Sequence, residues 1–318
     1  MDKPAARPHY RAVFISPHLD DAVFSCGATI DRLVEEGKGP VLVLNLFSRY
    51  LSEVKIRGVV LGDERYQEEV NAAQFLGFES RNLGELDVSF RREPYRKLGN
   101  IFRPPVSEDL AWLPTLRASV FAVLAELDYD ELYVPLGIGW HVDHVLTYLL
   151  FEPWAQQPNL LYYEDAPYCC IAQSTRYRLD EIAQYPRAST DLTLTPVSET
   201  KAWWQAATDY SNTALMKNLK PWIVRQFAVP VVSFYLHRLM AQHRKRSTPI
   251  SSLKLKPVEE SISGRVDRKI DAMALYTSQF NEFFSSRQDC ANTLAAYAQR
   301  AGRASLGERA LERFWVRA

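Results

Sequence analysis

His18, Asp20 and Asp21 stand within four positions in the stretch SPHLDDAVFSCG, Ser16 to Gly27. One imidazole and two carboxylates can bind a metal or move a proton. They follow directly on the apolar run AVFI, where a buried strand should be ending. A second group, His141, Asp143 and His144, lies in PLGIGWHVDH, directly after the strand-like ELYVP. The chain has 6 His, and half of them fall in these two clusters. His and Asp supply nitrogen and oxygen donors, and three protein ligands plus a water is the pattern of a catalytic zinc site. Such a site makes a water nucleophilic near neutral pH. A further carboxylate can take the proton and later give it to a leaving amine, and a further His can donate to a developing oxyanion. Taken singly, HLDD reads as a helix cap and HVDH as a polar helix start. Their joint occurrence at two strand ends favours the metal reading.

The elements that must position these groups follow from the apolar pattern. Residues 11–16, RAVFIS, read as a first buried strand, and Ile30, Leu33 and Val34 in ATIDRLVEEGK have helical spacing. Residues 40–47, PVLVLNLF, are a continuous apolar run that suits a strand covered on both faces. Strand, loop, helix and strand in this order make a right-handed βαβ unit with a parallel sheet. The alternation continues. A helix is expected over 62–78 with Val70, Ala73, Phe75 and Leu76 inward, a strand or its edge over 83–90, and a basic, Pro-bearing loop over 91–109. A helix over 113–127, a strand over 131–136, a helix from HVDH onward and a strand over 160–165 complete the series. The result is an α/β open sheet, whose ligands sit outside the carboxyl ends of the strands. In a parallel sheet all those ends lie on one edge, so the two clusters can converge.

Beyond about residue 175 the sequence turns helical and aromatic, in KAWWQAATDYSNTALMKNL and WIVRQFAVPVVSFYLHRLMAQHRKR. Arg225, Gln226, Pro230, His237 and Arg238 interrupt the second stretch, whereas a membrane span needs ~20 predominantly apolar residues. A core helix kinked at Pro230 is the expectation. The alternative is an interfacial helix that uses HRKR, His243 to Arg246, on anionic lipid.

Composition narrows the classes. Lys plus Arg and Asp plus Glu are 38 each, so no global field favours nucleic acid. MDKPAARPHYRAVFIS has no long apolar stretch ahead of the first strand-like run, so no secretory signal is expected and the expected location is the cytoplasm. Cys26, Cys169, Cys170 and Cys290 form no CxxC pair and read as free thiols. In its helix-start setting Cys26 reads as a small packing residue.

PHLDDA resembles the PHPDDE motif of the PIG-L/LmbE-like zinc N-deacetylase family, and GWHVDH resembles that family's second motif, a His, two residues, then His. RYQEEVNAAQFLG, Arg65 to Gly77, and KIDAMALYTSQF, Lys269 to Phe280, look like two further family segments. The resemblance spans most of the chain and covers residues 175–260 least. It implies a Rossmann-like fold, a mostly parallel sheet flanked by helices, as one domain over residues 1–318 with 175–260 as a helical insertion or lid. It also implies hydrolysis of an N-acetyl or related N-acyl group from an amino-sugar glycoside. Carried over residue by residue, His18, Asp21 and His144 match the ligands of Zn2+, or of another divalent metal such as Fe2+. Asp20 matches the general base, His141 the oxyanion donor, and Asp143 a group that orients it. Arg65 and Asp87 fall where family members contact the sugar. For Arg65 the alternative is a helix ion pair with Glu68 or Glu69, and for Asp87 a strand-end turn.

Two positions depart from the motif: Leu19 replaces its Pro and Ala22 its Glu. Groups that support metal ligands are typically worth about 10–100-fold in affinity or activity. Glu164 or Asp165, from the YYED segment, is a candidate to take over that support. Tyr162, Tyr163 and Tyr168 could wall a sugar site, although strand aromatics usually belong to the core. The expected partner is a small amino-sugar glycoside, with no nucleic acid and no obligatory membrane contact. Two other readings stay open: a non-catalytic sugar-binding protein on the same fold, and a membrane-associated deacetylase of a lipid-linked glycan.

Overall fold

The computed structural model describes residues 7–51, 62–187, 190–211, 213–214, 231, 253–302 and 310–318. The expected alternation forms: β1 (His9–Ser16), α1 (Asp21–Glu35), β2 (Val41–Asn45), α2 (Gly62–Leu76), β3 (Glu79–Asn82), α3 (Val88–Arg91), α4 (Ser107–Ala125), β4 (Asp128–Pro135), α5 (Val142–Phe151) and β5 (Leu160–Tyr163). There follow α6 (Ser174–Ile182), α7 (Glu199–Ser211), β6 (Leu255–Ser261), α8 (Val266–Met273), α9 (Thr277–Phe283), α10 (Arg287–Arg300) and β7 (Leu311–Arg317). The second aromatic stretch, with the kink expected at Pro230 and the HRKR cluster, lies outside the described residues apart from Val231.

The strands form one mixed sheet in the order β3-β2-β1-β4-β5-β7-β6. The first five are parallel, and β7 runs antiparallel between β5 and β6. The strand order reverses at β1, so the loops leaving β1 and β4 open side by side at the carboxyl edge, the ligand crevice of open α/β sheets. Both His/Asp clusters sit on these two loops and the first turns of the helices that follow, α1 and α5. Val13, Phe14, Ile15 and the whole of β2 are buried, as strands covered on both faces must be.

Three expectations need correction. Val70 is not inward; it is 45% exposed. The buried face of α2 carries Arg65, Glu68, Glu69, Ala72, Ala73 and Leu76, and its polar half is taken up by Asp20, Asn45, Ser80, Tyr276 and Ser278. The strand expected over 83–90 lies earlier, at β3, since the Asp87 carboxylate accepts the Ser89 N–H at 2.8 Å and starts the short helix α3. The helix after the basic loop begins at Ser107, with Pro114 inside it. Asp109, fully buried, ties that loop down by accepting from Arg91, Arg92 and Tyr95.

α1 is broken at Cys26 (φ −126°, ψ 15°). A broken helix leaves donors and acceptors unpaired, and two distant residues take them up. The Glu312 carboxylate, from β7, accepts the N–H groups of Ala28 (3.0 Å) and Thr29 (2.9 Å). Lys269, from α8, donates to the Ser25 carbonyl at 3.0 Å and to Glu312 at 2.6 Å. The C-terminal segments thus hold the helix whose first turn carries the metal-type motif. Among the described residues, no helix is long and apolar enough to cross a membrane.

Candidate metal centre

The site begins with the turn after β1. The Ser16 hydroxyl donates to the His18 carbonyl and accepts the Ala22 N–H, which fixes the HLDD loop. Asp21 is the first residue of α1, and its Oδ2 accepts the His18 N–H at 2.8 Å. The same oxygen lies 3.0 Å from His18 Nδ1 and 3.2 Å from His144 Nε2. The two clusters therefore meet around one carboxylate oxygen. His18 also belongs to two groups whose donor atoms all lie within 4.8 Å of one another: His18, His141 and His144, and His18, Asp87 and Asp143. All of these side chains are buried.

The partners on the far side of each ring set its direction. His144 Nδ1 meets Asp165 Oδ1 at 2.7 Å, while Asp165 Oδ2 accepts the Ile138 N–H. Of the two candidates in YYED, Asp165 thus reaches the site. Glu164 does not; it pairs with Arg313 and accepts from Trp315 and Tyr297. His18 Nε2 lies 3.1 Å from Asp143 Oδ2 and 3.5 Å from Asp87 Oδ2. The Asp143 carboxylate also accepts from Val88 N–H and from Arg91 at 2.7 Å. Its link to His141 runs through the main chain: Asp143 N–H donates to His141 Nδ1 at 3.3 Å.

These contacts separate the charges. Burial alone would lower the His18 pKa, but hydrogen bonds to Asp143 and Asp21 outweigh it and raise it well above the usual value. For His144 burial likewise lowers, and Asp21 and Asp165 carry the group up to about 9. Against burial, which raises it, His144 and His18 hold Asp21 well below the carboxylate range. The carboxylates thus draw positive charge to the space between the His18 and His144 rings. A divalent cation would supply it. Two nitrogen donors and an oxygen donor suit a borderline cation such as Zn2+, and a carboxylate behind a ligating His is the usual support for one. The residues fit the group.

Asp20, next in the chain, stands apart from this cluster. It is paired with Arg65, also buried. Burial raises the Asp20 pKa, with Arg65 opposing and Asp21 adding to the rise. Arg65 is not paired with its helix neighbours: Glu68 accepts from Ser278, and Glu69 accepts from Asn45, Ser80 and Tyr276. His141 is driven well below the usual value, first by burial and then by His18 and His144. It is therefore neutral. Because Nδ1 accepts a main-chain N–H, its proton sits on Nε2, which makes that atom a donor.

Three further groups border the site; Tyr168 is a candidate from the sequence, whereas Arg91 and Tyr50 carry no signal there. Arg91 anchors Asp143 from the basic loop. Tyr50 lies with its ring 5.4 Å from the Arg65 guanidinium carbon, and its buried hydroxyl has no hydrogen-bond partner among the described residues. Tyr168 stands edge-on to His144 with ring centroids 5.8 Å apart. The last contact requires Gly139 (φ 89°), since a Cβ there would lie 2.4 Å from the Tyr168 ring.

Residues 13–155 match the family described as PIG-L: GlcNAc-PI de-N-acetylase. The chain is 25% identical over 164 residues to 2'-N-acetylparomamine deacetylase of Streptomyces fradiae, a match over 50% of this chain and 57% of that protein. The chain thus spans little more than half the length of that relative. Its fold is that of the teicoplanin deacetylase Orf2, crystallised in a zinc inhibited form (TM-score 0.60, 18% identity, 97% of this chain and 98% of the other). It is also that of the A40926 pseudoaglycone deacetylase Dbv21 (TM-score 0.58, 18% identity, 96% of each chain).

Proposed function

With residues 13–155 identified as a PIG-L family domain, we propose that the chain is a divalent-metal-dependent hydrolase that removes the N-acetyl group from an amino-sugar glycoside. The observation that carries the reading is the Asp21 oxygen between His18 Nδ1 and His144 Nε2, with a second carboxylate, Asp20, held by Arg65 in the preceding position. The relative from Streptomyces fradiae, named for an N-acetylated amino-sugar substrate, supports the substrate class.

In this reading His18, Asp21 and His144 hold the cation, and Asp165 and Asp143 keep the two imidazoles turned toward it. Zn2+ is the proposed metal. When bound, the cation polarises the acetamide carbonyl and eases ionisation of a water. Asp20 accepts that water's proton as its oxygen bonds to the acetamide carbon. It returns the proton to the nitrogen as the carbon–nitrogen bond breaks, giving acetate and a free amine. Arg65 keeps Asp20 ionised and in place between turnovers. The Nε2–H of neutral His141 donates to the carbonyl oxygen as it gains charge. Arg65, beside Asp20, and Asp87, beside His18, are the proposed contacts to sugar hydroxyls.

Acetate release tests the reading. The protein, freed of metal and reloaded separately with Zn2+ and Fe2+, is offered N-acetylglucosamine, several of its glycosides and a simple N-acetyl amino acid. A glycoside is expected to be the best substrate, and chelation is expected to abolish its turnover. Equal turnover after chelation contradicts the metal role, and an N-acetyl amino acid as best substrate contradicts the amino-sugar role.

A further inference from the structure

A cavity of ≈ 230 Å³ lies on the far side of Tyr168 from the His/Asp site. Tyr168, Tyr210, Phe283 and Phe284 line it, together with Asp209 and Arg300. The Tyr168 ring serves both compartments: it lies 5.8 Å from the His144 ring and 5.9 Å from the Phe283 ring. The Tyr168 ring thus borders both the proposed reacting centre and a second chamber, which has room for about one more ring of a glycoside.

The lining chooses among rings. Four aromatic side chains line the cavity, and aromatic rings attract cations through their π faces. Among the described residues that line it, two carboxylates, Asp209 and Asp289, stand with one guanidinium, so their net charge is negative. Asp289 is committed to Ser285, whose N–H and hydroxyl it accepts at 2.9 Å. Arg300 donates to the Cys170 carbonyl. Asp209 is the carboxylate with capacity left. Among the described residues its one hydrogen bond is from the Ala172 N–H to Oδ2, at 2.8 Å. Burial pushes its pKa up against the pull of that N–H and of Arg300, so the charged form would gain from a cationic partner.

We propose that this cavity takes the ring beyond the acetamido sugar and that Asp209 selects a ring bearing a protonated amine. As a substrate subsite this rests on the hydrolase reading above; as a cation site it stands alone. Two measurements keep them apart. In the first, 2-deoxystreptamine, a diaminocyclitol, is titrated calorimetrically into wild type and Asp209→Asn. Saturable binding by wild type, weakened about 10–100-fold in the variant, is expected, the range for one buried hydrogen bond to a charged group. No binding by wild type, or equal binding by both, overturns the proposal whatever the enzyme hydrolyses.

The second compares kcat/KM for N-acetylglucosamine linked to 2-deoxystreptamine and to a neutral cyclitol. Wild type should prefer the aminated glycoside, and Asp209→Asn should lose that preference while turning over free N-acetylglucosamine as wild type does. An unchanged preference overturns the proposal. Absence of turnover on every acetamide contradicts the hydrolase reading and leaves the titration to decide the site. Tyr210→Leu, which removes a π face and no charge, should weaken binding of the diaminocyclitol as well. It decides the matter if Asp209→Asn fails to fold: wild-type affinity in Tyr210→Leu then overturns the proposal.

Discussion

Asp20 and Asp21 are adjacent and chemically identical, yet their surroundings send them in opposite directions. Burial raises Asp20, while the His144 and His18 rings bring Asp21 well down against the same burial. Carboxylates driven apart in this way take different tasks: Asp21 stays an anion for a cation to use, and Asp20 can hold a proton in transit. Asp20→Asn is therefore expected to keep its metal and lose about 10²–10⁴-fold in turnover, checked by acetate release from metal-replete protein. Near wild-type turnover would mean that the proton goes elsewhere. His141→Ala should lower kcat and leave KM little changed, because the oxyanion it serves exists only along the reaction path. Steady-state kinetics in which KM rises and kcat holds would make it a binding residue instead. His18, Asp20, Asp21, His141, Asp143 and His144 were all legible as a set, since two short motifs at strand ends carry them. Asp165, Arg91 and Tyr50 were not legible with equal force. Their contribution depends on contacts made across 21, 52 and 15 positions respectively (to His144, Asp143 and Arg65), and no local spacing marks such contacts.

The elements show why weakly patterned segments belong to this site. α1 presents Asp21 from a helix that breaks five residues later, and the break is held by Lys269 and Glu312, both buried. Removing one member of a buried pair leaves the other charge uncompensated, at a cost of about 3–5 kcal/mol. Glu312→Gln should thus lower the unfolding free energy by that order in denaturant titration. The double variant Lys269→Met with Glu312→Gln should lose much less than the sum of the two single changes. Additive losses would show that the residues do not act as a pair. Tyr276 and Ser278, from the same C-terminal segment as Lys269, donate to Glu69 and Glu68 on α2. This explains the failure at Val70. Apolar periodicity finds the face that packs on a core, whereas half of the buried face of α2 is polar, where hydrogen bonds to Glu68 and Glu69 and the Arg65–Asp20 pair replace apolar contacts.

At the scale of the whole molecule, the parallel order of β1 to β5 was legible from strand and helix alternation, because a parallel pair needs a crossover. The antiparallel insertion of β7 between β5 and β6 was not. Its residues LERFWVR come at the very end of the chain and give no sign of which edge they join. The insertion nevertheless buries Trp315 completely and delivers Glu312 to α1. Trp315→Ala should cost about 3–5 kcal/mol of stability, as large-to-small core changes do. A loss below 1 kcal/mol in denaturant titration, under RT ln 10 of about 1.4 kcal/mol, would mean that β7 is not part of the cooperative core. The sheet's larger task is to bring residues 125 positions apart, His18 and Asp143, within 3.1 Å. The central claim is that the two clusters so joined hold one divalent metal through His18, Asp21 and His144. Elemental analysis of wild type, Asp20→Asn and His144→Ala, purified side by side, tests it most directly. About one metal per chain in the first two and a sharp fall in His144→Ala is the predicted result; wild-type metal content in His144→Ala, or no metal in wild type, would contradict it.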